Sequence, residues 1–176
     1  MPFDYKIVKT KISGLKVINN SFFKDNRGVI FTSSNSFVER ILGLNKFHNH
    51  HTKIMKRKKN SLTGLHGDNK SWKLLSCLEG SIKVVLIDLR KKSKTYDKVL
   101  EISLNNKDCK TLLIPSNVAL GYLCKKDINI ILYRIFHNGK YVDYDKQFTI
   151  YWNDPNYKIN WGINKPILSK RDIPSS

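Results

Sequence analysis

The chain has 176 residues, which is long enough for one domain with its own hydrophobic core. Hydrophobic residues make up 40% of it and aromatic residues 11%, so a disordered composition is excluded, and no apolar run has the length of a membrane span. With 32 basic against 14 acidic residues, the net charge of +18 indicates an anionic partner, either a polyanion such as nucleic acid or a smaller anionic ligand.

The distribution of charge favours the smaller ligand. The densest basic runs, residues 53–59 and 90–94, are short, and the other basic residues are spread through the chain. No helix-turn-helix or zinc-finger spacing appears, and no aromatic-basic surface for single strands. We therefore expect no nucleic-acid and no membrane partner. The N-terminal sequence lacks the apolar core of a signal peptide, which predicts a cytoplasmic protein.

The first third of the chain predicts short elements around a polar turn. Residues 5–9 and 15–18 have the pattern of strands, and Asp-x-Arg-Gly, with Arg27, precedes a strand at residues 29–32. Residues 36–42 are spaced for one or two helical turns. The following His48, His50 and His51 resemble a metal tract. Because no Cys or carboxylate stands at a matching spacing, we interpret them as a solvated loop or strand edge.

From residue 61 onward the pattern is β. Short runs rich in Ile, Val, Leu and Tyr alternate with turn residues, at residues 61–66, 72–78, 81–89, 98–104, 111–115, 120–123 and 129–136. Residues 84–87 are apolar on both faces, as in a strand covered on both sides, and Asn138-Gly139 predicts a hairpin turn. Residues 151–172 predict a loop draped back over the sheets. The whole is an all-β sandwich or barrel, one domain over residues 1–176.

The cysteines do not predict a disulfide framework, because their number, three, is odd and none form a Cys-x-x-Cys pair. Cys77 and Cys124 lie in apolar runs, which favours small core residues over ligands or nucleophiles.

The chemistry points to residues 61–75, which we interpret as a hairpin with His66 at the end of one strand and Lys73 at the start of the next. Inward-facing residues of a small barrel converge on its interior, and Tyr133 lies in the middle of an apolar strand. A neutral His is a general base near pH 7, a Tyr hydroxyl donates a proton, and a Lys stabilises an enolate oxygen. Such a set would remove a proton next to a carbonyl and return it to the other face. The alternatives are a packed or solvated His66 and a core Tyr133.

The order of eight short motifs resembles the dTDP-4-dehydrorhamnose 3,5-epimerases over about residues 15–172. They are FxDxRG, KKNxLxGLH, WKL with EG, DLR, LxxxNKxxxxLIP, LYR, WNDP with IxW, and LSKRD. The resemblance implies a cupin-type jelly roll that epimerises nucleotide-linked 4-keto sugars without a metal or cofactor. It also implies a homodimer in which an N-terminal strand of one subunit completes the sheet or site of the other. Gly-Leu-His-Gly-Asp, Trp-Lys-Leu and Gln-Phe-Thr-Ile-Tyr-Trp-Asn-Asp-Pro resemble more closely a subgroup acting on GDP-linked 6-deoxy-4-keto-heptoses for bacterial capsules.

By the same resemblance, each candidate residue has a role. His66 is the base and Asp172 is its carboxylate partner. Tyr133 is the acid on the other face, and Lys73 holds the enolate oxygen. The expected substrate-binding residues, with Arg27 on the diphosphate and Lys110 near the nucleotide, are Arg27, Lys110, Asp68 and Asn60.

Three positions depart from the family pattern. Thr63 stands where an Arg is usual, Val84 where many members have an Asp, and Leu120 where they have a His or Asn. We expect an altered pocket that favours C3, with C5 as a second candidate carbon, of a GDP-heptose or dTDP-hexose for capsule or lipopolysaccharide synthesis. Two alternatives stay open. One is a non-catalytic basic jelly roll that binds a nucleotide sugar, glycan or nucleic acid, and the other is a metal cupin using the histidines.

Overall fold

The computed structural model describes residues 5–142 and 144–173 of the chain. The strands are β1 (Lys6–Lys9), β2 (Lys16–Asn19), β3 (Phe22–Asp25), β4 (Gly28–Phe31), β5 (Asn49–Arg57), β6 (Leu62–Gly67), β7 (Trp72–Glu79), β8 (Ser81–Asp88), β9 (Val99–Asn105), β10 (Lys110–Ile114), β11 (Val118–Cys124), β12 (Asn129–His137) and β13 (Phe148–Ile150). A short helix, α1, spans Ser36–Ile41, and 3-10 turns lie at Leu44–Lys46, Tyr144–Lys146 and Lys170–Asp172.

Two antiparallel sheets form a jelly-roll β-sandwich, which confirms the predicted fold class. The first sheet has six strands in the order β1-β2-β10-β7-β12-β5, and the second has five in the order β13-β6-β11-β8-β9. The main core lies between them, where alternate residues of both sheets meet. Cys77 and Cys124 belong to this core, as predicted, and burial raises the pKa of the Cys77 thiol to about 12.

The strand β8 is covered on both faces, as its apolar run predicts. Val84 and Leu86 face the core between the sheets, whereas Val85 and Ile87 face a second core on the outer side of the five-stranded sheet. That outer core is closed by the C-terminal segment, whose Trp161 is 3% exposed. The loop draped over the sheets is thus confirmed. This segment carries Asp172 to the edge of β6.

Residues 61–75 do not form a hairpin, contrary to our prediction. The strand β6 pairs with β11 and β13 in the five-stranded sheet, while β7 pairs with β10 and β12 in the six-stranded sheet. The turn between them crosses from one sheet to the other, with Asp68 Oδ1 accepting hydrogen bonds from the backbone N–H groups of Lys70 and Ser71. A polar turn marks where the chain reverses but carries no information on which sheet receives the next strand.

The prediction of a hairpin at Asn138-Gly139 is also wrong. The strand that follows this turn, β13, pairs with β6 and not with β12. The turn itself is present, since Gly139 has φ 65°, which favours glycine. The Asn138 side chain accepts a hydrogen bond from the backbone N–H of His48 and so ties the turn to the start of β5.

The N-terminal third confirms its predicted short elements. The helix α1 begins after Asn35, whose side chain accepts from the backbone N–H of Val38. The strands β3 and β4 form a separate hairpin around Arg27, with Phe22 and Ile30 each 57% exposed. Of the His-rich tract, His50 and His51 lie on the edge strand β5 and His48 lies just before it, in agreement with our interpretation. Among the described residues, no helix has the length and apolar character that crossing a membrane requires.

Candidate active site

A cavity of about 200 Å³ opens between the two sheets. His66 reaches it from β6 of the five-stranded sheet, and Lys73 and Tyr133 reach it from β7 and β12 of the six-stranded sheet. The other lining residues are Lys53, Met55, Thr63, Gly67, Leu120, Tyr122, Tyr141, Gln147 and Arg171. A general base, a phenol and an ammonium group therefore share one partly apolar cavity.

Both ring nitrogens of His66 make hydrogen bonds. Nε2 lies 2.6 Å from Oδ1 of Asp172, and Nδ1 lies 3.0 Å from Oγ1 of Thr149. An ionised carboxylate accepts only, so the proton of the neutral ring lies on Nε2 and Nδ1 keeps its lone pair. Nδ1 is thus the nitrogen that is able to accept a proton from a ligand.

Asp172 is held as an ionised carboxylate. Oδ1 accepts from the backbone N–H of Gly64 at 2.9 Å, and Oδ2 accepts from the Ser169 hydroxyl at 2.7 Å. Burial alone raises the pKa of Asp172, but the hydrogen bonds from His66, Ser169 and Gly64 outweigh burial, and the pKa lies below its ordinary value.

The backbone at Gly64 is shaped for this contact. A Cβ added there would lie 2.6 Å from Oδ1 of Asp172, so any larger residue would displace the carboxylate. The Gly two positions before His66 therefore makes room for the partner of that histidine.

Lys73 and Asp68 form a buried ion pair beside the cavity. Nζ of Lys73 lies 3.1 Å from Oδ2 of Asp68, and the two side chains are 3% and 1% exposed. Burial lowers the pKa of Lys73, and the adjacent carboxylate offsets part of that fall. Burial raises the pKa of Asp68, but Lys73 and the backbone donors outweigh it, and this pKa lies below its ordinary value.

The ammonium group keeps room for a ligand. Lys73 Nζ has three N–H donors, and its contact with Asp68 Oδ2 at 3.1 Å can occupy one of them. A buried N–H donor is stabilised by an acceptor, so an oxygen atom bound in the cavity would be stabilised by the remaining donors of Lys73.

Tyr133 is a neutral phenol in this setting. In the pairing of β12 with β7, Tyr133 lies opposite Leu75 and Ile135 lies opposite Lys73, so Tyr133 and Lys73 are diagonal neighbours on one face. Burial raises the pKa of Tyr133 well above its ordinary value, and the nearby Tyr141, Tyr122 and Asp68 raise it further. The hydroxyl thus holds its proton at neutral pH.

The predicted substrate-binding residues divide into two groups. Asp68 contacts Lys73, whereas Arg27, Lys110 and Asn60 do not line the cavity of their own chain. Arg27 is 79% exposed and pairs with Asp25 in the β3–β4 turn. Lys110 pairs with Asp108 at 3.3 Å, and Asn60 lies in the turn before β6 with φ 66°. Their roles in binding substrate stay predictions.

Seven cavity residues were not among the site residues predicted from the sequence: Lys53, Met55, Gly67, Tyr122, Tyr141, Gln147 and Arg171. Tyr122 and Tyr141 bring two more phenols, Arg171 a guanidinium and Gln147 an amide. Tyr122 alternates with Leu120 on a buried strand, so spacing was an available signal for Tyr122. Of the three positions that depart from the family pattern, Leu120 and Thr63 line the cavity, and Val84 lies in the core between the sheets.

Among His, Cys, Asp and Glu of residues 5–142 and 144–173, no three side chains are placed to hold a metal ion. His50 and His51 lie on β5, where the rings contact Phe136 and Tyr141.

Known proteins are similar in sequence to this chain over nearly its full length. The family model of dTDP-4-dehydrorhamnose 3,5-epimerase matches residues 9–175. The enzyme of that name from Salmonella typhimurium is 30% identical over 173 residues, covering 94% of this chain and 91% of its own. The one from Methanothermobacter thermautotrophicus is 28% identical over 178 residues, covering 96% and 92%.

Two solved structures are similar to this chain in fold and, at 25–27% identity, in sequence. The Bacillus anthracis dTDP-4-dehydrorhamnose 3,5-epimerase, with TDP and PPi bound, has a TM-score of 0.86 and 27% identity, and the match covers 96% of this chain and 97% of that one. The dTDP-6-deoxy-D-glucose-3,5-epimerase from Legionella pneumophila, in complex with dTDP-4-keto-L-rhamnose, has a TM-score of 0.86 and 25% identity, with 96% and 90% covered.

Proposed function

Because this chain belongs to the dTDP-4-dehydrorhamnose 3,5-epimerase family and is an epimerase, we propose that it inverts C3 of a nucleotide-diphospho-4-keto-6-deoxy sugar. C5, the other carbon next to the ketone, is the second candidate. The family match does not favour a non-catalytic basic jelly roll. The proposal concerns the substrate, the carbon and the residues that act on it.

The reaction begins with proton abstraction by His66. The ketone at C4 makes the neighbouring C–H acidic. Nδ1 of His66 takes this proton, the C–H electrons form the C=C bond of an enolate, and the carbonyl π electrons move onto the C4 oxygen. Asp172, 2.6 Å from Nε2, stabilises the imidazolium that results. General base catalysis of this kind contributes roughly 10²–10⁴-fold to a rate.

The enolate and its reprotonation involve the opposite wall. Lys73 lines the cavity with an ammonium that keeps N–H donors beyond its contact with Asp68, and it would hold the enolate oxygen. Tyr133 then donates its proton to the same carbon from the other side, and the configuration is inverted. A phenol with a raised pKa keeps that proton until a strongly basic carbanion is formed.

One observation carries the proposal: the base and the acid line one cavity from different sheets. A base and an acid that invert one carbon must lie on opposite sides of it, because two groups on one wall would return the proton to the face of the sugar from which it was removed. The cavity of about 200 Å³ between these two walls is the space in which the sugar ring would lie.

The experiment is deuterium incorporation in heavy water. We expect wild type to place deuterium at C3 of a dTDP-linked 4-keto-6-deoxy hexose, His66→Asn to lose nearly all exchange, and Tyr133→Phe to exchange without inverting the carbon. His48→Asn, on a histidine outside the cavity, is the matched control. Exchange by His66→Asn at the wild-type rate would contradict the proposal. The number of deuterons incorporated separates C3 from C3 and C5.

The nucleotide and sugar are a further part of the proposal. The similarity to dTDP-4-dehydrorhamnose 3,5-epimerases favours a dTDP-linked hexose, and the Legionella relative was solved with a dTDP-4-keto sugar. The motifs around His66 and Trp152 favour a GDP-linked heptose for capsule synthesis. Thermal shift with dTDP against GDP distinguishes the two. A larger rise with GDP would support a GDP-linked substrate and overturn a dTDP-linked one.

We also propose a homodimer that brings Arg27 to the partner's site. The β3–β4 hairpin pairs with neither sheet and exposes four large apolar side chains at its surface: Phe22, Phe23, Val29 and Ile30. Packing on a second copy would cover them, and the Arg27 guanidinium at the tip would be available for a diphosphate. Light scattering should give twice the chain mass for wild type. A monomeric wild type with full activity would overturn this part.

A further inference from the structure

His66 has a cross-strand neighbour on each side, and the two differ in polarity. Leu120 of β11 lies opposite His66 in one antiparallel pair, and Thr149 of β13 lies opposite it in the other. Leu120 has no group that forms a hydrogen bond. Thr149 places Oγ1 3.0 Å from Nδ1, the nitrogen that carries the lone pair. The polar contact of the proposed base atom with its own sheet therefore comes from Thr149.

Arg171 sets the direction of that hydrogen bond. Its Nε and Nη2 lie 3.3 and 3.2 Å from Oγ1 of Thr149. A guanidinium only donates, and a hydroxyl has one proton and two acceptor lone pairs. With both guanidinium donors on the oxygen, the hydroxyl proton is left for Nδ1 of His66. Arg171 is itself held at the cavity wall by Gln147, whose Oε1 accepts from Nη1 at 3.2 Å.

The two ring contacts of His66 agree on one tautomer and one ring orientation. Asp172 requires a proton on Nε2, and the directed hydroxyl of Thr149 requires a lone pair on Nδ1. A half turn of the ring about the Cβ–Cγ bond would place Cδ2–H against Thr149, and a C–H group cannot accept its proton. Thr149 is β-branched and stiff at χ1, so it presents its oxygen in a fixed place.

We propose that Thr149, oriented by Arg171, is a positioning residue that holds the His66 ring with Nδ1 unprotonated before substrate binds; this rests on the proposed function of His66 as base. When substrate enters, its acidic C–H replaces the hydroxyl at Nδ1. Thr149 therefore acts before proton transfer and takes no part in making or breaking bonds.

The kinetic test compares Thr149→Val with Thr149→Ser. Valine keeps the branched shape and removes the hydroxyl, whereas serine keeps the hydroxyl. Loss of one orienting hydrogen bond should lower kcat about 3- to 10-fold in the valine variant, with KM within about twofold of wild type. The serine variant should retain near wild-type kcat. A raised KM with unchanged kcat would overturn the proposal, because Thr149 would then be a substrate contact.

The spectroscopic test uses 15N NMR of the His66 ring in the full chain without substrate, assigned with His66→Asn. We expect an unprotonated, hydrogen-bonded Nδ1 and a protonated Nε2 in wild type. The Nδ1 resonance should move towards that of a free nitrogen in Thr149→Val and stay in place in Thr149→Ser. A protonated Nδ1 in wild type would overturn the proposal even if no variant folds. Failure of the proposed function is distinguishable, since it appears as full exchange by His66→Asn whatever the ring spectrum.

Discussion

The variant Asp172→Asn separates the charge of the His66 partner from its shape. In wild type, Oδ1 accepts from His66 and Gly64 while Oδ2 accepts from Ser169. The asparagine amide oxygen can accept the first two hydrogen bonds. Its NH₂ group then faces Ser169, whose hydroxyl turns to accept. The network keeps its geometry, so we expect folding to be retained.

The substitution removes the negative charge that stabilises the imidazolium of His66. A hydrogen bond to a charged group contributes about 1.5–3 kcal/mol, and the two groups become opposite charges in contact when His66 takes the proton. Both side chains are nearly buried, at 11% and 4% exposure, so water screens them little. We expect a loss of about 2–4 kcal/mol of transition-state stabilisation, or roughly 30- to 1,000-fold in kcat/KM.

The assay is deuterium incorporation at C3, with Asp127→Asn, an exposed position, as the matched control. The thermal midpoint of each variant shows whether the fold is retained. Exchange by Asp172→Asn within twofold of wild type would refute the reasoning, because the carboxylate would then have no part in activating the base.

Two further predictions concern stability. Asp68→Asn leaves the Lys73 charge buried without its counter-charge and should lower the free energy of unfolding by about 3–5 kcal/mol, whereas the double variant with Lys73→Met should lose less; equal losses in denaturant titrations would contradict an ionic pair. Acid should unfold the protein because the pKa values of Asp68, Asp88 and Asp172 lie below their ordinary value: their stabilisation is complete above about pH 4 and is lost as pH falls through the folded-state pKa values. A thermal midpoint at pH 3 equal to that at pH 7 would exclude this.

The residue pattern predicted an all-β sandwich or barrel because a buried face gives a strand a regular pattern of apolar residues, and the family resemblance narrowed this to a jelly roll. Val84 to Ile87 are apolar at every position since both faces of β8 are covered, and the apolar and polar runs before and after it have the length of strands. The loop over the outer face was predictable from its Trp and Pro residues, because large aromatic side chains in a segment without strand pattern indicate that the segment packs on the sheets. The sheet partner of each strand was not, because pairing is a long-range choice that a turn such as Asn138-Gly139 does not determine.

The candidate site likewise contains residues that the sequence predicts and residues that only the folded structure brings together. His66, Lys73 and Tyr133 were found because each is a titratable residue in or beside an apolar run, and Asp172 was found through the family resemblance. Thr149 and Arg171 were not, because a threonine on a short edge strand and an arginine before an aspartate are ordinary surface patterns. Their significance comes from the pairing of β13 with β6 and from the return of the C-terminal segment, both of which join residues far apart in the chain.

The wrong hairpin changes the chemistry that the residues permit. On neighbouring strands of one sheet, His66 and Lys73 would have lain on one wall, with strands about 4.8 Å apart. Both groups would then have met the same face of a sugar ring. In the sandwich, the chain crosses between the sheets at Asp68, so that His66 lies on one wall and Lys73 lies with Tyr133 on the other. The turn that ends β6 therefore separates base from acid, and Asp68, which closes this turn, also neutralises Lys73. Inversion of a carbon between the walls depends on this crossing.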